Sequence, residues 1–428
     1  MRSGLRRCIL IYSVSLFEQI SFWDFLGSGN MQNQILLFHR TVGAKYDDRI
    51  QKIFGSLNRQ SGVEAHAILW ERSNQAKEGK FKAGGNYEVV RLPFASKRMP
   101  RPGPIWSLYE ILAESWTGYR KVVENDPTVV VVQNHRLFGL VELVTRRSDR
   151  RFRLVWDLRE LPTGFMKKGS LRSRYFSSLL EKCDAVIVTN ESRRWHMKEV
   201  FGETALKKSV AVPNYPDRSF GLEQGFEEID FLSGRLASKR YFYLQNPSSE
   251  ARYPIPTVEA VLQYTDLSVV VSGRIEKRAQ AALESEWGEE FRERVILAGM
   301  VSRENIISLL DRCAAALVFY NWDRPNSNFC DPNRLYQAIA RGVPVVVGAN
   351  TGMKAIIEEL GCGVVAEGDG RSSADTGHAL RCLLQGYGGF RERAIANRKR
   401  FCWEENEEIL TRAIFGEVIE GSLCRNEG

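Results

Sequence analysis

The sequence lacks the two glycine-rich motifs that most often hold phosphate groups in α/β proteins. No G-x-G-x-x-G joins a strand to a helix anywhere along its 428 residues, and G-x-x-x-x-G-K-[ST] is also absent. These absences argue against an enzyme that binds a dinucleotide cofactor and against a P-loop NTPase. After residue 31, no apolar run reaches the roughly 18–20 residues that a membrane-spanning helix needs.

Cysteine pairs with metal-binding or redox spacing are missing as well. The chain has eight cysteines, and none of them form a C-x-x-C arrangement. Several lie in apolar segments, as do Cys313 and Cys362. This pattern favours buried thiols in a reducing compartment over a disulfide framework or a zinc site.

Negative charge is the scarcer sign. The 52 Asp and Glu residues are outnumbered by 60 Lys and Arg residues, which gives a formal net charge of +8. Such a protein favours anionic partners, among them nucleic acid, an anionic membrane surface and nucleoside diphosphates. The sequence has no zinc-finger spacing, ribonucleoprotein-type aromatic motif or Arg-Gly repeat, so we do not expect nucleic acid as the partner.

Alternating strand and helix patterns run along the chain from residue 34, which predicts parallel sheets covered by helices on both faces. The alternation breaks at Val212–Pro216, because prolines at 213 and 216 exclude both a helix and a central strand. A second series begins at Tyr241. We therefore predict an α/β protein with two Rossmann-like domains, residues 31–216 and 235–402, that face a ligand-binding cleft. A last helix and a tail occupy residues 403–428.

Residues 1–30 fit neither domain. Arg2, Arg6 and Arg7 precede a short apolar run, as in a signal peptide, but no small-residue cleavage site follows cleanly. Two interpretations stay open. The segment is either a non-native, disordered extension or a weak membrane anchor.

The most informative stretch is Asp331–Val347, DPNRLYQAIARGVPVVV. Its pattern predicts a loop, an amphipathic helix with Pro332 in its first turn, a stop at Gly342, and a buried strand at Val345–Val347. A helix whose amino terminus opens beside a polar loop is a ready site for a phosphate group.

This stretch resembles the Pro-Asn-Lys-Leu-aromatic-Glu and Gly-x-Pro-Val-Val pattern in the nucleotide-sugar half of GT-B glycosyltransferases, especially glycosyltransferase family 4. Further segments resemble the same family, in the same order, over residues 34–415. They are Tyr46–Ile50, Trp156–Pro162, Cys183–Asn190, Val212–Pro216, Val271–Arg274 and Arg400–Glu404. The resemblance implies a GT-B fold, in which a C-terminal helix crosses back to the amino-terminal domain.

The resemblance also implies an activity. It is the transfer of a sugar, with retention of configuration, from a nucleotide-sugar donor to a cell-surface glycan or its lipid carrier. The nucleotide-sugar is a co-substrate and no separate cofactor is expected, while the absence of Asp-x-Asp agrees with a site that holds no metal. Arginine suits a diphosphate because its planar guanidinium can hold two oxygens, although each candidate could instead be a surface arginine. The expected donor-binding residues are Arg252, Gly273, Arg274, Asn333, Arg334 and Gln337.

Gln337 departs from the family pattern. The family commonly has a glutamate at the matching position, where it holds the donor ribose. An amide oxygen still accepts a hydrogen bond but carries no charge. A second hypothesis therefore stays open, a catalytically impaired GT-B-like protein that binds a nucleotide or a partner enzyme. An epimerase on the same fold is less favoured, because the linker and the final helix follow the transferase pattern.

The amino-terminal domain is expected to hold the acceptor. His135 follows the buried strand Val129–Gln133 and Glu160 follows another strand, so both are candidate catalytic residues. Each also has a structural interpretation, as an ordinary structural histidine and as a solvated glutamate.

A basic and aromatic cluster lies at Lys167–Phe176, and the loop Lys97–Pro104 adds positive charge in the same domain. The cluster is either a solvated helix start or a surface that meets anionic lipid or a lipid-diphosphate acceptor. We expect a cytoplasmic protein, which on the second interpretation is peripheral at the inner face of the cell membrane. The basic residues concerned are Lys167, Lys168, Arg172 and Arg174.

Overall fold

The computed structural model describes residues 33–41, 47–71, 78–80, 86–90, 104–226 and 240–416. The predicted extension at residues 1–30, most of the basic loop at 97–104, the linker from residue 227 and the tail from residue 417 lie outside these ranges. Within the ranges, no helix is both long enough and apolar enough to cross a membrane.

The first sheet has eight strands in the order β3-β4-β2-β1-β5-β6-β7-β8, and only the β3–β4 pair is antiparallel. Its strands are β1 (Asn33–Thr41), β2 (Val63–Glu71), β3 (Glu78–Lys80), β4 (Asn86–Val89), β5 (Val129–Gln133), β6 (Arg153–Leu158), β7 (Ala185–Val188) and β8 (Ser209–Ala211). The helices of this half are α1 (Asp48–Asn58), α2 (Pro104–Asn125), α3 (Phe138–Thr145), α4 (Leu171–Lys182), α5 (Glu191–Phe201) and α6 (Glu203–Lys208). The next helix, α7 (Arg218–Leu222), packs through Phe220 against the core of the second sheet. Short 3-10 turns occur at His135–Leu137 and Thr163–Phe165.

The second sheet has six parallel strands in the order β11-β10-β9-β12-β13-β14. Its strands are β9 (Tyr241–Gln245), β10 (Ser268–Ser272), β11 (Val295–Gly299), β12 (Ala315–Val318), β13 (Val345–Val347) and β14 (Gly363–Val365). The helices are α8 (Pro254–Tyr264), α9 (Lys277–Arg294), α10 (Arg303–Arg312), α11 (Pro325–Asn328), α12 (Asn333–Ala340), α13 (Thr351–Leu360), α14 (Ser373–Gln385), α15 (Tyr387–Asn397) and α16 (Glu407–Phe415). Glu250–Arg252 and Trp403–Asn406 are 3-10 turns.

Strand β5 shows why each half has three layers. Val130 and Val132 pack into one hydrophobic cluster, whereas Val129 and Val131 pack into another on the opposite face of the sheet. Both faces are covered by helices, so a run of four valines is stable without a polar alternation. Polar residues can approach the sheet only at the strand ends, and the strand ends therefore carry the functional groups.

The carboxyl-terminal segment crosses back to the amino-terminal domain, as predicted. Trp403 is 1% exposed, belongs to a hydrophobic cluster of the first sheet, and donates from Nε1 to Ser56 Oγ at 2.9 Å. Leu410 and Ile414 of α16 pack into the same cluster. The two sheets span residues 33–211 and 241–365, so the expected domain limits at 216 and 235 fall between them and stay predictions.

Two of the predicted helix boundaries are wrong. Pro332 is extended, with ψ of 147°, and is the N-cap residue that precedes α12 instead of occupying its first turn. Its carbonyl accepts a hydrogen bond from the Leu335 N–H at 2.9 Å. The single final helix expected over Trp403–Ile414 is divided. Its first four residues form a 3-10 turn, and the α-helix begins at Glu407.

Candidate functional site

A cavity of about 760 Å³ lies where the carboxyl ends of the two sheets meet. One side, which we call the amino-terminal wall, is formed by residues 39–41, 47–49, 134, 159, 160, 189, 193 and 214. The opposite side, the carboxyl-terminal wall, comes from residues 249, 251, 252, 320, 324, 326, 327 and 330–333. We count Arg334 with this wall because it donates to the hydroxyl of the lining residue Tyr320, although Arg334 itself is not part of the lining. In parallel α/β folds, ligands bind in crevices at this edge of the sheets.

Carboxylates neutralise three of the four arginines of the amino-terminal wall, and Arg193 is the exception. Arg40 lies 2.7 Å from Glu110 and 3.2 Å from Glu114. Arg49 is only 2% exposed and pairs at 3.2 Å with Asp157, which is fully buried. Removing one partner of a buried ion pair leaves the other charge uncompensated and is strongly destabilising. These arginines therefore stabilise the wall through their carboxylate partners.

A third pair in this wall includes a histidine. Arg159 lies 2.7 Å from Asp47, and His39 Nε2 lies 2.8 Å from the same carboxylate. Burial acts to raise the pKa of Asp47, but the Arg159 charge and the hydrogen bond from His39 together hold that pKa well below its usual range. Burial lowers the pKa of His39 despite the hydrogen bond to Asp47.

Two arginines of the carboxyl-terminal wall have no carboxylate partner in the part of the chain that the structure describes. Arg252 donates to the carbonyl of Asn246 at 2.6 Å, and Arg334 donates to the carbonyl of Gln245. Both guanidinium groups lie near the ring of Tyr320, with Cζ 5.4 Å and 5.1 Å from its centroid. Burial and then the nearby charge of Arg334 lower the pKa of Arg252. The pair is therefore an uncompensated excess of positive charge.

Arg324 and the start of α12 add to this positive potential. Arg324 is exposed at the cavity and forms no ion pair with any described residue. Helix α12 begins after Pro332 without a side-chain cap. Asn333 donates to Asp48 at 3.3 Å, while its Oδ1 is buried and has no partner within the described ranges. Together, arginines and an uncapped helix amino terminus form a site suited to an anion.

The other expected donor residues lie beside the cavity rather than on its surface. Gly273 has φ of +83°, and a Cβ there would lie 2.9 Å from Asn246 Cα, so only glycine fits without strain. The backbone N–H of Arg274 donates to Asn246 Oδ1 at 3.4 Å, and the residue is exposed. Gln337 is half-buried on α12. The donor role of all six expected residues stays a prediction.

His135 and Glu160 are neighbours, but only Glu160 lines the cavity. Glu160 is exposed there, whereas His135 is half-buried in the 3-10 turn after β5. Burial lowers the pKa of His135, the charge of Glu160 opposes that shift, and His135 Nδ1 is buried without a partner among the described atoms. The structure thus brings the two candidates together and gives only the glutamate direct access.

The predicted basic cluster lies on the surface, away from the cavity lining. All four of its cations are exposed, at the start of α4 and just before it, and Leu171 between them is 83% exposed. Lys168 and Arg174 also border a separate groove of about 500 Å³. The role of Lys167, Lys168, Arg172 and Arg174 stays a prediction.

The cavity contains residues that the sequence analysis missed. Arg159 directly follows β6, and Tyr320 and Arg324 follow β12 closely, so their place at the carboxyl ends of strands was the available signal. Asp47, the N-cap of α1, and Arg193, in the first turn of α5, gave no such signal. Among the described residues, no group of three or more His, Cys, Asp and Glu side chains could hold a metal ion.

The fold is similar to that of several solved proteins. Sucrose-phosphate synthase from Thermosynechococcus elongatus matches with a TM-score of 0.69 at 14% identity, over 89% of this chain and 98% of that one. HepE from Anabaena, in complex with UDP-glucose, gives 0.65 at 14% identity over 89% and 98%. The α,α-trehalose 6-phosphate synthase from Burkholderia multivorans gives 0.66 at 10% identity over 90% and 98%.

At the level of sequence, no protein-family profile matches the chain, and no curated protein matches it. The two facing sheets, the crossing helix and the structural neighbours show that the chain has the GT-B fold, which confirms the predicted fold class. Membership of glycosyltransferase family 4 in particular stays a prediction.

Proposed function

We propose that this protein is a glycosyltransferase that takes a sugar from a nucleotide-sugar donor. The observation that carries the proposal is the uncompensated pair Arg252 and Arg334, which lies beside the uncapped start of α12 at the central cavity. A diphosphate would neutralise both arginines at once. HepE and the Escherichia coli trehalose-6-phosphate protein, which share the fold, are solved with UDP-glucose and UDP-2-fluoro glucose respectively.

The charge distribution suits the chemistry of this transfer. When the bond between the sugar and the diphosphate breaks, the leaving group gains negative charge. Fixed guanidinium groups and a helix amino terminus stabilise that charge, with no metal required. Resemblance to family 4 supports retention of configuration. Gly273 and Arg274 would support the diphosphate from the adjoining loop, Asn333 from the helix start, and Gln337 would accept a hydrogen bond from the ribose.

The acceptor would enter along the amino-terminal wall. Three of its four arginines are already paired with carboxylates, and Arg193 is 6% exposed, so that wall suits uncharged sugar hydroxyls better than an anion. Glu160 would orient an acceptor hydroxyl or exchange a proton with it, and His135 would support Glu160. We propose a cell-surface glycan or a lipid-linked sugar as the acceptor.

A lipid-linked acceptor has support from the outer surface of this domain. Leu108, Leu112 and Trp116 are 56%, 60% and 59% exposed at helical spacing on α2. Exposed Leu171 begins α4, the basic cluster lies at this start and just before it, and α3 packs against both α2 and α4. Apolar side chains beside lysines and arginines match the headgroup region of an anionic membrane.

The alternative function is a nucleotide-binding protein that transfers nothing. Gln337 favours it, because the matching residue in the resembling family is a charged glutamate. Both functions predict nucleotide binding, and only the transferase predicts turnover of the donor.

Calorimetry with UDP, ADP and GDP, followed by chromatography of nucleotide-sugars incubated with the protein, tests the proposal. We expect one nucleoside diphosphate to bind and its sugar derivative to be slowly hydrolysed. Binding without hydrolysis or transfer to any glycan would support the alternative function. No binding by any of the three would contradict both.

A further inference from the structure

Arg193 has a guanidinium group in an unusual environment. It lies in the first turn of α5, is 6% exposed, and forms no ion pair with any described residue. Its hydrogen bonds go to uncharged oxygens, the carbonyl of Arg159 at 2.7 Å and the hydroxyl of Thr189 at 2.6 Å. Across the cleft, it donates to Asn326 through both the carbonyl at 3.0 Å and Oδ1 at 2.8 Å.

This arrangement is unfavourable for stability taken alone. The Asp331 carboxyl is close enough for the charge of Arg193 to act to lower its pKa, but the two groups form no ion pair. A buried charge without a directly paired counter-ion is destabilising, and a positive charge in the first turn of a helix opposes the helix dipole. Arg193 Nε is buried and has no partner among the described residues. The unfavourable position of Arg193 is therefore better explained by the segments that it connects than by the stability of α5.

The connection runs from the amino-terminal wall to the carboxyl-terminal wall. Arg159, whose carbonyl Arg193 binds, precedes the candidate Glu160, and the Leu161 N–H donates to Asn326 Oδ1 at 3.1 Å. Asn326 lies in α11, two residues after Arg324, in the segment that leads from Tyr320 to α12.

Two neighbouring contacts follow the same path. Asn190 Nδ2 donates to the Phe329 carbonyl at 2.8 Å, and the His196 ring stacks on Phe329 with a centroid distance of 4.1 Å. The start of α5 is thus bound directly to the donor-side segment at several points. Arg193 is the one residue among these that also reaches the acceptor-side backbone at Arg159.

We propose that Arg193 is a positioning residue that fixes the acceptor segment 159–161 against the donor segment 321–331. Arg252 and Arg334 can bind a diphosphate from the carboxyl-terminal domain alone. Reaction requires that Glu160 and the donor sugar also meet in one geometry, and Arg193 sets that geometry through Asn326. The catalytic part of this inference rests on the proposed transferase function, whereas the contact itself does not.

The first test follows the Leu161 amide by hydrogen exchange in the free protein. In Arg193→Ala, we expect this amide to exchange about tenfold faster than in the unchanged protein, because the segment opens locally. Arg194→Ala is the matched control, since Arg194 is half-buried on the same helix but pairs with Glu191 at 3.2 Å and donates to the Leu206 carbonyl, not to segment 321–331. Equal exchange in the two variants would overturn the inference, whatever the activity of the protein.

The second test separates catalysis from donor binding. For Arg193→Ala we expect kcat to fall by about 10- to 100-fold, because small displacements of reacting groups have effects of that size. The Kd for UDP should change by less than about threefold. Arg193→Lys keeps the charge and should recover part of the lost kcat.

Asn326→Ala is a second variant that distinguishes loss of the contact from a folding defect of Arg193→Ala. It removes the side-chain acceptor of Arg193 without burying or exposing a charge. As for Arg193→Ala, we expect a lower kcat and an unchanged Kd for UDP. If UDP binding is lost together with kcat in both variants, Arg193 belongs to the donor site and the inference is wrong. If the unchanged protein does not bind UDP or turn over any donor, the proposed function fails while the exchange test still decides the contact.

Discussion

Arginines lie on both walls of the cleft, but the two walls place them in opposite electrostatic settings. Arg40, Arg49 and Arg159 each contact a carboxylate within 3.2 Å or less on the amino-terminal wall. Arg252 and Arg334 contact carbonyl groups and a tyrosine instead, in the part of the chain that is described. The number of arginines therefore says little about where an anion binds, and their partners say much more. In the first wall, three of the four arginines have a carboxylate partner, whereas Arg252 and Arg334 of the second wall have none within the described ranges.

The largest effect on stability should come from breaking an ion pair in the amino-terminal wall. Asp157→Ala would leave the buried charge of Arg49 without a partner, so we expect the free energy of unfolding to fall by about 3–5 kcal/mol in urea denaturation. Arg334→Ala should leave this quantity almost unchanged, because Arg334 has no ion pair to lose. Similar losses in the two variants would show that the walls do not differ in this way.

Asp331 belongs to the carboxyl-terminal wall and should make stability depend on pH. Burial raises the pKa of Asp331 to about 6, although hydrogen bonds from Tyr336 and Asn190 act in the opposite direction. The carboxyl group is thus harder to ionise in the folded protein than in the unfolded chain. Its contribution is fully present below about pH 4 and is lost as pH rises through about 6, by at most about 3 kcal/mol.

Asp331→Asn isolates this effect, because the amide does not titrate. Thermal melts of both proteins from pH 4 to pH 7 should show a decline in the unchanged protein that is weaker in the variant. Parallel curves for the two proteins would contradict a raised pKa at Asp331.

A smaller effect is expected from adding a negative charge to α12, beside the carboxyl-terminal wall. Gln337→Glu restores the residue of the resembling family, and a carboxylate accepts stronger hydrogen bonds from ribose hydroxyls than an amide does. We expect UDP to bind about fivefold more tightly, a change of about 1 kcal/mol. Weaker binding of UDP would instead indicate that the added charge repels the diphosphate. Uridine, which lacks phosphate, separates these two causes.

The fold could be predicted from the sequence, but only part of the candidate site could. Unbroken apolar strands such as β5 predict parallel sheets, and the prolines at 213 and 216 predict the start of a linker, because these signals are local. The pairing of Arg49 with Asp157 or of Arg193 with Asn326 joins residues more than 100 positions apart. No local pattern encodes such a pair, so the sequence could identify arginines but not which of them are neutralised.

The central claim is that Arg252 and Arg334, which have no carboxylate partner, hold the donor, and that the paired arginines of the amino-terminal wall do not. Its most direct test is the Kd for UDP, measured by calorimetry in Arg252→Ala, Arg334→Ala and Arg40→Ala at one salt concentration. We predict that each of the first two variants weakens binding by about 10- to 100-fold, the loss expected for a hydrogen-bonded charge, and that Arg40→Ala changes it by less than about threefold. Unchanged affinity in both Arg252→Ala and Arg334→Ala, or an equal loss in Arg40→Ala, would contradict the account.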